Sequence, residues 1–281
     1  MNYYNLISMM PKAPAYDADA QAFITATGIS GTNASAINTL VLDLKAASIW
    51  TKMKAIYPIV GGTATTHKFN LVDAQDTNAA FRLVFAGGVT HTSNGFAGNG
   101  TNGFANTFFV PSSHLTLHNT HMGYYSRTSG MPGSTTALMG ANSNTSIYNG
   151  LETFVIYRAT TSIQITQNAE LLISDIGFST QTNSQGFWVN SRTSPTATTL
   201  KLFKNGVSLN NATTSPAGQA LNTNSLYIGA IRNMTIAVPH ANLYSNCECA
   251  FASIGVGLSD AEALSFYNAV QTFQTTLGRQ V

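Results

Sequence analysis

The sequence predicts an all-β sandwich preceded by a short helical segment and closed by a C-terminal helix. Three observations carry this reading. Apolar runs alternate with turn formers at intervals of roughly eight to twelve residues through the middle of the chain, the spacing of a sandwich rather than of strand–helix–strand units. Asn205-Gly206 stands between Leu200/Leu202 and Val207/Leu209, and this dipeptide supplies the two positive-φ residues of a type I′ hairpin turn. Ser259 and Glu262 form a capping box ahead of an apolar stripe at Ala263, Phe266, Tyr267, Val270, Phe273 and Leu277. A helix therefore starts at Ser259, lies against a sheet and stops at Gly278.

The 281 residues suit one large domain, or one domain with an appendage. Only 9% are charged, against about 25% in an average soluble protein. Disorder is excluded by a 44% hydrophobic fraction that includes 15 Phe and 11 Tyr. A net charge of +2 without any basic run argues against nucleic acid as a partner. Met1–Met10 has no positively charged leader and no long apolar run, so neither a signal peptide nor membrane insertion is expected. Cys247 and Cys249 are one residue apart; so small a loop would strain a disulfide, and they read as two reduced thiols in or beside a strand.

Taken in order, residues 1–14 form an extended arm with two prolines, and residues 15–57 a helical segment. In that segment Ala20, Phe23 and Ile24 give one short amphipathic helix stopped by Gly28. Asn33 or Ser35 caps a second helix over Ile37–Trp50, which runs on into Met53–Tyr57 until Pro58 and Gly61-Gly62 end it. The sandwich with its closing helix spans residues 58–281. Strands are expected at Phe81–Phe85, at two short segments around Phe96 and Phe104 joined by a turn, at Phe108–Val110, Leu115–Leu117, Met122–Arg127, Thr153–Tyr157, Ile163–Ile165, Leu171–Ile176, Gly186–Asn190, Leu226–Ile231 and Ala250–Val256. The Gly-rich run Asn94–Phe104 is not a phosphate cradle, because no Gly-Lys-Ser/Thr follows and no helix opens after it.

Two stretches resemble known families. Leu-Lys-Leu-Phe-Lys-Asn-Gly (200–206), Leu-Tyr-Ile-Gly (226–229), Phe251–Gly255, Leu258–Glu262 and Phe266-Tyr267 resemble the concanavalin A-like, laminin G type sandwich, in which a short helix commonly follows the last strand. Leu44-Lys45, Trp50–Pro58, Gly61-Gly62 and His67–Leu71 resemble a module of bacteriophage structural proteins that precedes such a sandwich. The first resemblance implies a concanavalin A-like jelly roll. The second implies a virion component, made in the bacterial host cytoplasm: a fibre, spike or capsid-surface protein, homo-oligomeric and in contact with other virion proteins. Together they imply a lectin-like domain that adheres to a host-surface glycan, gaining strength from multiple copies. The alternative is an architectural or capsid-decoration protein with no ligand of its own.

Four residues have the chemistry for sugar recognition: Tyr148 and Asn149 in the Asn142–Gly150 loop, and Trp188 and Arg192 near the next turn. Aromatic rings lie against pyranose faces, and amides or guanidinium groups satisfy hydroxyls. Trp188 sits in a Phe-Trp-Val run and has a competing reading as core. Hydrolytic members of the resembled family carry Glu-x-Asp-x-x-Glu along one strand, and this chain has no such run. Glu170 and Asp175, five apart, would face opposite sides of a regular strand. The expectation is therefore no enzymatic activity, no catalytic residue and no cofactor. His114, His118 and His121 cluster in sequence, but without a nearby acid or thiolate they read as polar sheet-edge residues rather than a metal site.

Overall fold

A computed structural model describes residues 16–142, 153–169, 177–196, 199–211, 220–233 and 240–281. Helix α1 (Ala18–Thr27) begins at Asp17, whose carboxylate accepts from the Asp19 amide. It ends where Gly28, at φ 69°, donates its amide to Ile24 O. Helix α2 (Gly31–Ala46) starts a turn and a half earlier than Ile37, with Ser30 as the N-cap residue. It stops short of Trp50 because Ser48 takes the left-handed region at φ 58°. After a 3-10 turn at Trp50–Lys52, Met53–Tyr57 forms strand β1, not the end of a helix. Its amides are claimed by sheet pairing and by the buried Asn70, whose Oδ1 accepts from Ile56 N at 2.9 Å.

After a single helical turn, α3 (Ala64–His67), come β2 (Val84–Ala86), β3 (Val89–Thr92), β4 (Gly95–Gly98), β5 (Phe104–Asn106), the short α4 (Pro111–His114) and β6 (Thr120–Ser126). Then follow β7 (Thr136–Ala141), β8 (Thr153–Arg158), β9 (Ser162–Ala169), β10 (Gly177–Thr180), β11 (Gly186–Arg192), β12 (Leu200–Lys204) and β13 (Val207–Asn211). The chain closes with β14 (Tyr227–Ile228), β15 (Ile231–Asn233), β16 (His240–Asn242), β17 (Cys249–Gly255) and helix α5 (Asp260–Thr276). Two sheets result. The first runs β13-β12-β11-β6-β17-β4-β3, with β1 also on β17; the second runs β10-β9-β8-β7-β14-β5-β2, with β15 and β16 joined through β7.

Strand alternation decides which residues meet. One side of the first sheet sends Met122, Tyr124, Trp188, Leu202 and Ile254 inward against Leu138, Ile156, Ile163, Ile165 and Ile228 of the second. The other side presents Tyr125, Phe187, Val189, Phe203 and Phe251 to α1, α2 and α5. Phe187, Phe251 and Phe266 meet edge-on with centroids 5.1–5.9 Å apart. Each such ring contributes about 1.5–3 kcal/mol by burial, so the helices form a second core over the outer face of that sheet.

The α5 capping box is formed: Ser259 Oγ accepts from Glu262 N while Glu262 accepts from Ser259 N. In the hairpin, Asn205 and Gly206 have φ of 51° and 76°. A Cβ on Gly206 would lie 2.9 Å from Leu264 Cα, so the turn needs glycine for its backbone and for the helix beside it. Phe96 and Phe104 do not form one hairpin; β4 belongs to the first sheet and β5 to the second. The strands expected at Phe108–Val110 and Leu115–Leu117 are replaced by α4 and a single bridge between Thr116 and Asn119. Phe108 at φ 56° and Pro111 break the extended run. The strand expected at Leu171–Ile176 lies outside the described residues.

Candidate functional site

Of the four residues expected to meet a sugar, Tyr148 and Asn149 lie outside the described residues. The other two lie in the interior. Trp188 is 0% exposed, its Nε1–H donates to Ser184 O at 2.7 Å, and the Lys204 ammonium sits 4.8 Å from its ring centroid. Arg192 is 1% exposed, with Nε on Ser194 O and Nη2 on Pro195 O. It stands four residues further along β11, about 13 Å at a strand rise of about 3.3 Å per residue, toward the opposite rim. Both were expected near a turn, with a competing core reading for Trp188; burial and strand length keep the two from a shared surface.

A polar cleft of about 640 Å³ opens at the rim nearer Trp188. Its walls are the β6–β7 connection (Thr128–Thr135), the start of β7, the end of β8, the segment Asn242–Asn246, and Gly100. The connection is rich in Ser, Thr, Gly and Pro, so it crosses from one sheet to the other without regular structure. Arg158, the last residue of β8, reaches the cleft while being 2% exposed. Its Nε donates to Ser184 Oγ at 2.9 Å and its Nη2 to Gly130 O at 3.0 Å. Ser184 in turn bonds Thr128 O at 2.8 Å and receives Trp188 Nε1 through its carbonyl. Trp188 thus supports the floor of this cleft from below.

The facing wall is set by Leu243, a non-glycine residue at φ 51°. Left-handed backbone costs such a residue about 1–2 kcal/mol, here offset by contact with Ala137, Tyr157 and Ile231 and by an Ala137 N to Leu243 O bond of 2.8 Å. Strain of this kind concentrates where side chains must be held for a purpose. Its neighbours Asn242 and Tyr244 both line the cleft. Tyr244 is partly exposed and lies 6.3 Å from Phe104, which stacks on Tyr227 at 4.5 Å beneath the Arg232 guanidinium. Thr136 Oγ1, also at the cleft, is buried without a hydrogen-bond partner among the described residues. An aromatic face, amides, hydroxyls and one guanidinium make a surface suited to a polyhydroxylated ligand.

The histidine cluster of the sequence is dispersed. His114 is edge-on to Phe81 at 4.8 Å, His118 sits at φ 63°, and His121 is fully buried with Nδ1 2.7 Å from Val256 O. Burial lowers the His121 pKa to about 4. Among the described residues no three His, Cys, Asp or Glu side chains converge on a metal position. Both cysteines are free and buried, with Cys247 Sγ 2.9 Å from Ser126 Oγ. Glu170 and Asp175 lie outside the described residues.

Sequence reasoning missed a histidine pair. His67 Nε2 accepts from Gly62 N at 3.1 Å, so its proton rests on Nδ1 and is shared with His91 Nδ1 at 2.9 Å. Burial, with His91 and Arg279 nearby, lowers the His67 pKa to about 3. The two residues are 24 apart in sequence, and no local spacing signals their contact.

No protein-family model matches the sequence, and no curated protein sequence matches it. Solved structures do. A Trypanosoma rangeli sialidase in complex with a 2,3-difluoro-KDN ligand matches with a TM-score of 0.52 at 10% identity, over 83% of this chain and 39% of that one. Another T. rangeli sialidase structure, with sialic acid, matches with a TM-score of 0.50 at 12% identity, over 76% and 32%. The fourth domain of a Geobacillus stearothermophilus extracellular arabinanase, with arabinotriose, has a TM-score of 0.46 at 10% identity, over 76% and 98%. This chain therefore spans well under half the length of the sialidases it matches. The matches correct one expectation. The missing carboxylate motif had implied a protein without enzymatic activity, yet the fold recurs in chains that are sialidases, so that inference is withdrawn. In fold, the chain is a concanavalin A-like β-sandwich with helices before and after it.

Proposed function

We propose that this chain is a glycan-binding module displayed on the surface of a bacteriophage particle, as part of a fibre, spike or capsid-surface protein. The observation that carries the binding reading is the rim cleft, where Tyr244, Asn242, Thr136 and Arg158 converge in about 640 Å³ of polar space. The particle assignment rests on the resemblance of residues 44–71 to a phage module. Weak contacts at each cleft would gain strength when copies of the chain are arrayed on one particle. The host-surface polysaccharide is the ligand, other virion proteins the neighbours, and a homo-oligomer the working form.

The test is retention of the purified protein on envelope polysaccharide from the bacterial host, followed by analysis of polysaccharide chain length. Retention lost on Tyr244→Ala, with the fold intact, supports the cleft as the binding site. Shortened chains would add hydrolysis to binding. If even a multivalent form is not retained, the decoration-protein alternative gains, and loss of particle incorporation on removal of residues 1–14 would then support it.

A further inference from the structure

We infer that the cleft selects a sugar carrying a ring carboxylate, seated on Arg158; this inference rests on the glycan-binding reading above. Arg158 is 2% exposed, yet among the described residues no carboxylate lies within ion-pair distance of it. Its two hydrogen bonds go to neutral oxygens, Ser184 Oγ and Gly130 O, through Nε and Nη2. Nη1 makes none among the described residues, and the side chain lines the cleft. A guanidinium withdrawn from water and left without an anion is costly, and the cost falls when an anion arrives. A planar carboxylate is the group that matches its fork.

The described walls of the cleft reinforce this choice. They contain no Asp or Glu. Glu248, close by in sequence to Asn246, is held by Arg127 Nε at 3.1 Å, so it is not the counter-ion of Arg158. Beside the guanidinium, the partly exposed Tyr244 supplies the ring face. A carboxylate on a pyranose occurs in uronic acids and in nonulosonic acids; the shared chemistry is what Arg158 would recognise.

Polygalacturonate and polysialic acid, each beside its carboxyl-reduced form, separate these sources. The full chain should be retained on at least one acidic polymer, and reduction of that polymer should weaken retention by about tenfold or more, the range of a charge-assisted hydrogen bond. Arg158→Gln should reproduce the loss on the unreduced polymer, and Arg158→Lys should recover part of it. Because Arg158 also holds Gly130 and Ser184, thermal unfolding of each variant accompanies the assay; the reduced polymers test the wild-type chain and need no variant. Equal retention on native and reduced polymers would overturn the carboxylate inference and leave glycan binding standing. Failure on both acidic polymers would overturn it as well, while the envelope-polysaccharide assay decides separately whether the glycan reading survives.

Discussion

Arg279 and Arg158 are buried almost equally, at 1% and 2% exposure, and their surroundings differ completely. Near the C-terminus, Arg279 gives Nε to Gln274 Oε1, Nη1 to Ile59 O and Ser93 O, and Nη2 to Pro58 O and Ala250 O. Burial lowers its pKa to about 9, which leaves it charged at neutral pH. Those bonds join the chain after α5 to the segment after β1, the β3–β4 turn and β17. At the rim, Arg158 makes two bonds and leaves one nitrogen toward an open cleft. The same side chain closes a structure in one place and leaves capacity for a ligand in the other. Hydrogen-bond satisfaction, more than burial, separates a structural cation from a binding one.

The largest effect expected from this contrast is on Arg279→Met. Five neutral acceptors would lose the Arg279 bond, with Ala250 O keeping Gln274 Nε2, and stability in urea should fall by about 3–5 kcal/mol. Arg158→Gln should cost less, about 1–2 kcal/mol, while removing most glycan retention. If the two variants lose equal stability, the contrast fails.

Acid comes next. The pKa of His121 is lowered to about 4 and that of His67 to about 3 by burial, so the folded state holds both neutral. Below pH 6.5 the unfolded chain binds protons that the folded chain refuses. Stability should therefore be level above about pH 6.5 and fall from there to about pH 3, with His121 alone contributing about 3 kcal/mol of loss by pH 4. Denaturant midpoints across that range, compared with those of His121→Gln, measure the share of this residue. An unchanged slope in the variant would contradict the assignment.

Smaller again is Ser259→Ala, which removes the N-cap of α5 and should cost about 1 kcal/mol in the same assay. Smallest is Tyr244→Ala. With the ring partly exposed at the rim, stability should change by less than about 0.5 kcal/mol, yet retention on polysaccharide should drop sharply. A large stability loss would move Tyr244 from the binding surface to the framework.

The parts of this fold that were legible in the sequence depend on local chemistry. Asn205-Gly206 and Ser259/Glu262 are short signals whose geometry is decided within a few residues, and the hairpin and cap stand where the sequence placed them. Met53–Tyr57 was not legible, because its partner β17 lies about two hundred residues away and claims an apolar run that could equally have continued a helix. Phe96 and Phe104 were separated for a similar reason: β4 pairs with the distant β17 and β5 with the distant β14. Of the cleft, only Trp188 was singled out in advance, and it proves to be the support beneath Ser184. Arg158, Thr136, Asn242 and Tyr244 come from three separated segments with no spacing motif. A Ser-, Gly- and Pro-rich connection between strands was the one hint that a rim loop lay there.

The central claim is that ligand binds between the β6–β7 connection and the Asn242–Asn246 segment. Amide hydrogen exchange of the full chain, with and without host envelope polysaccharide, tests it most directly. The account predicts slowed exchange over residues 127–136 and 242–246, and unchanged exchange over α1, α2 and α5. Protection confined to the helices, or none at saturating polysaccharide, would contradict it.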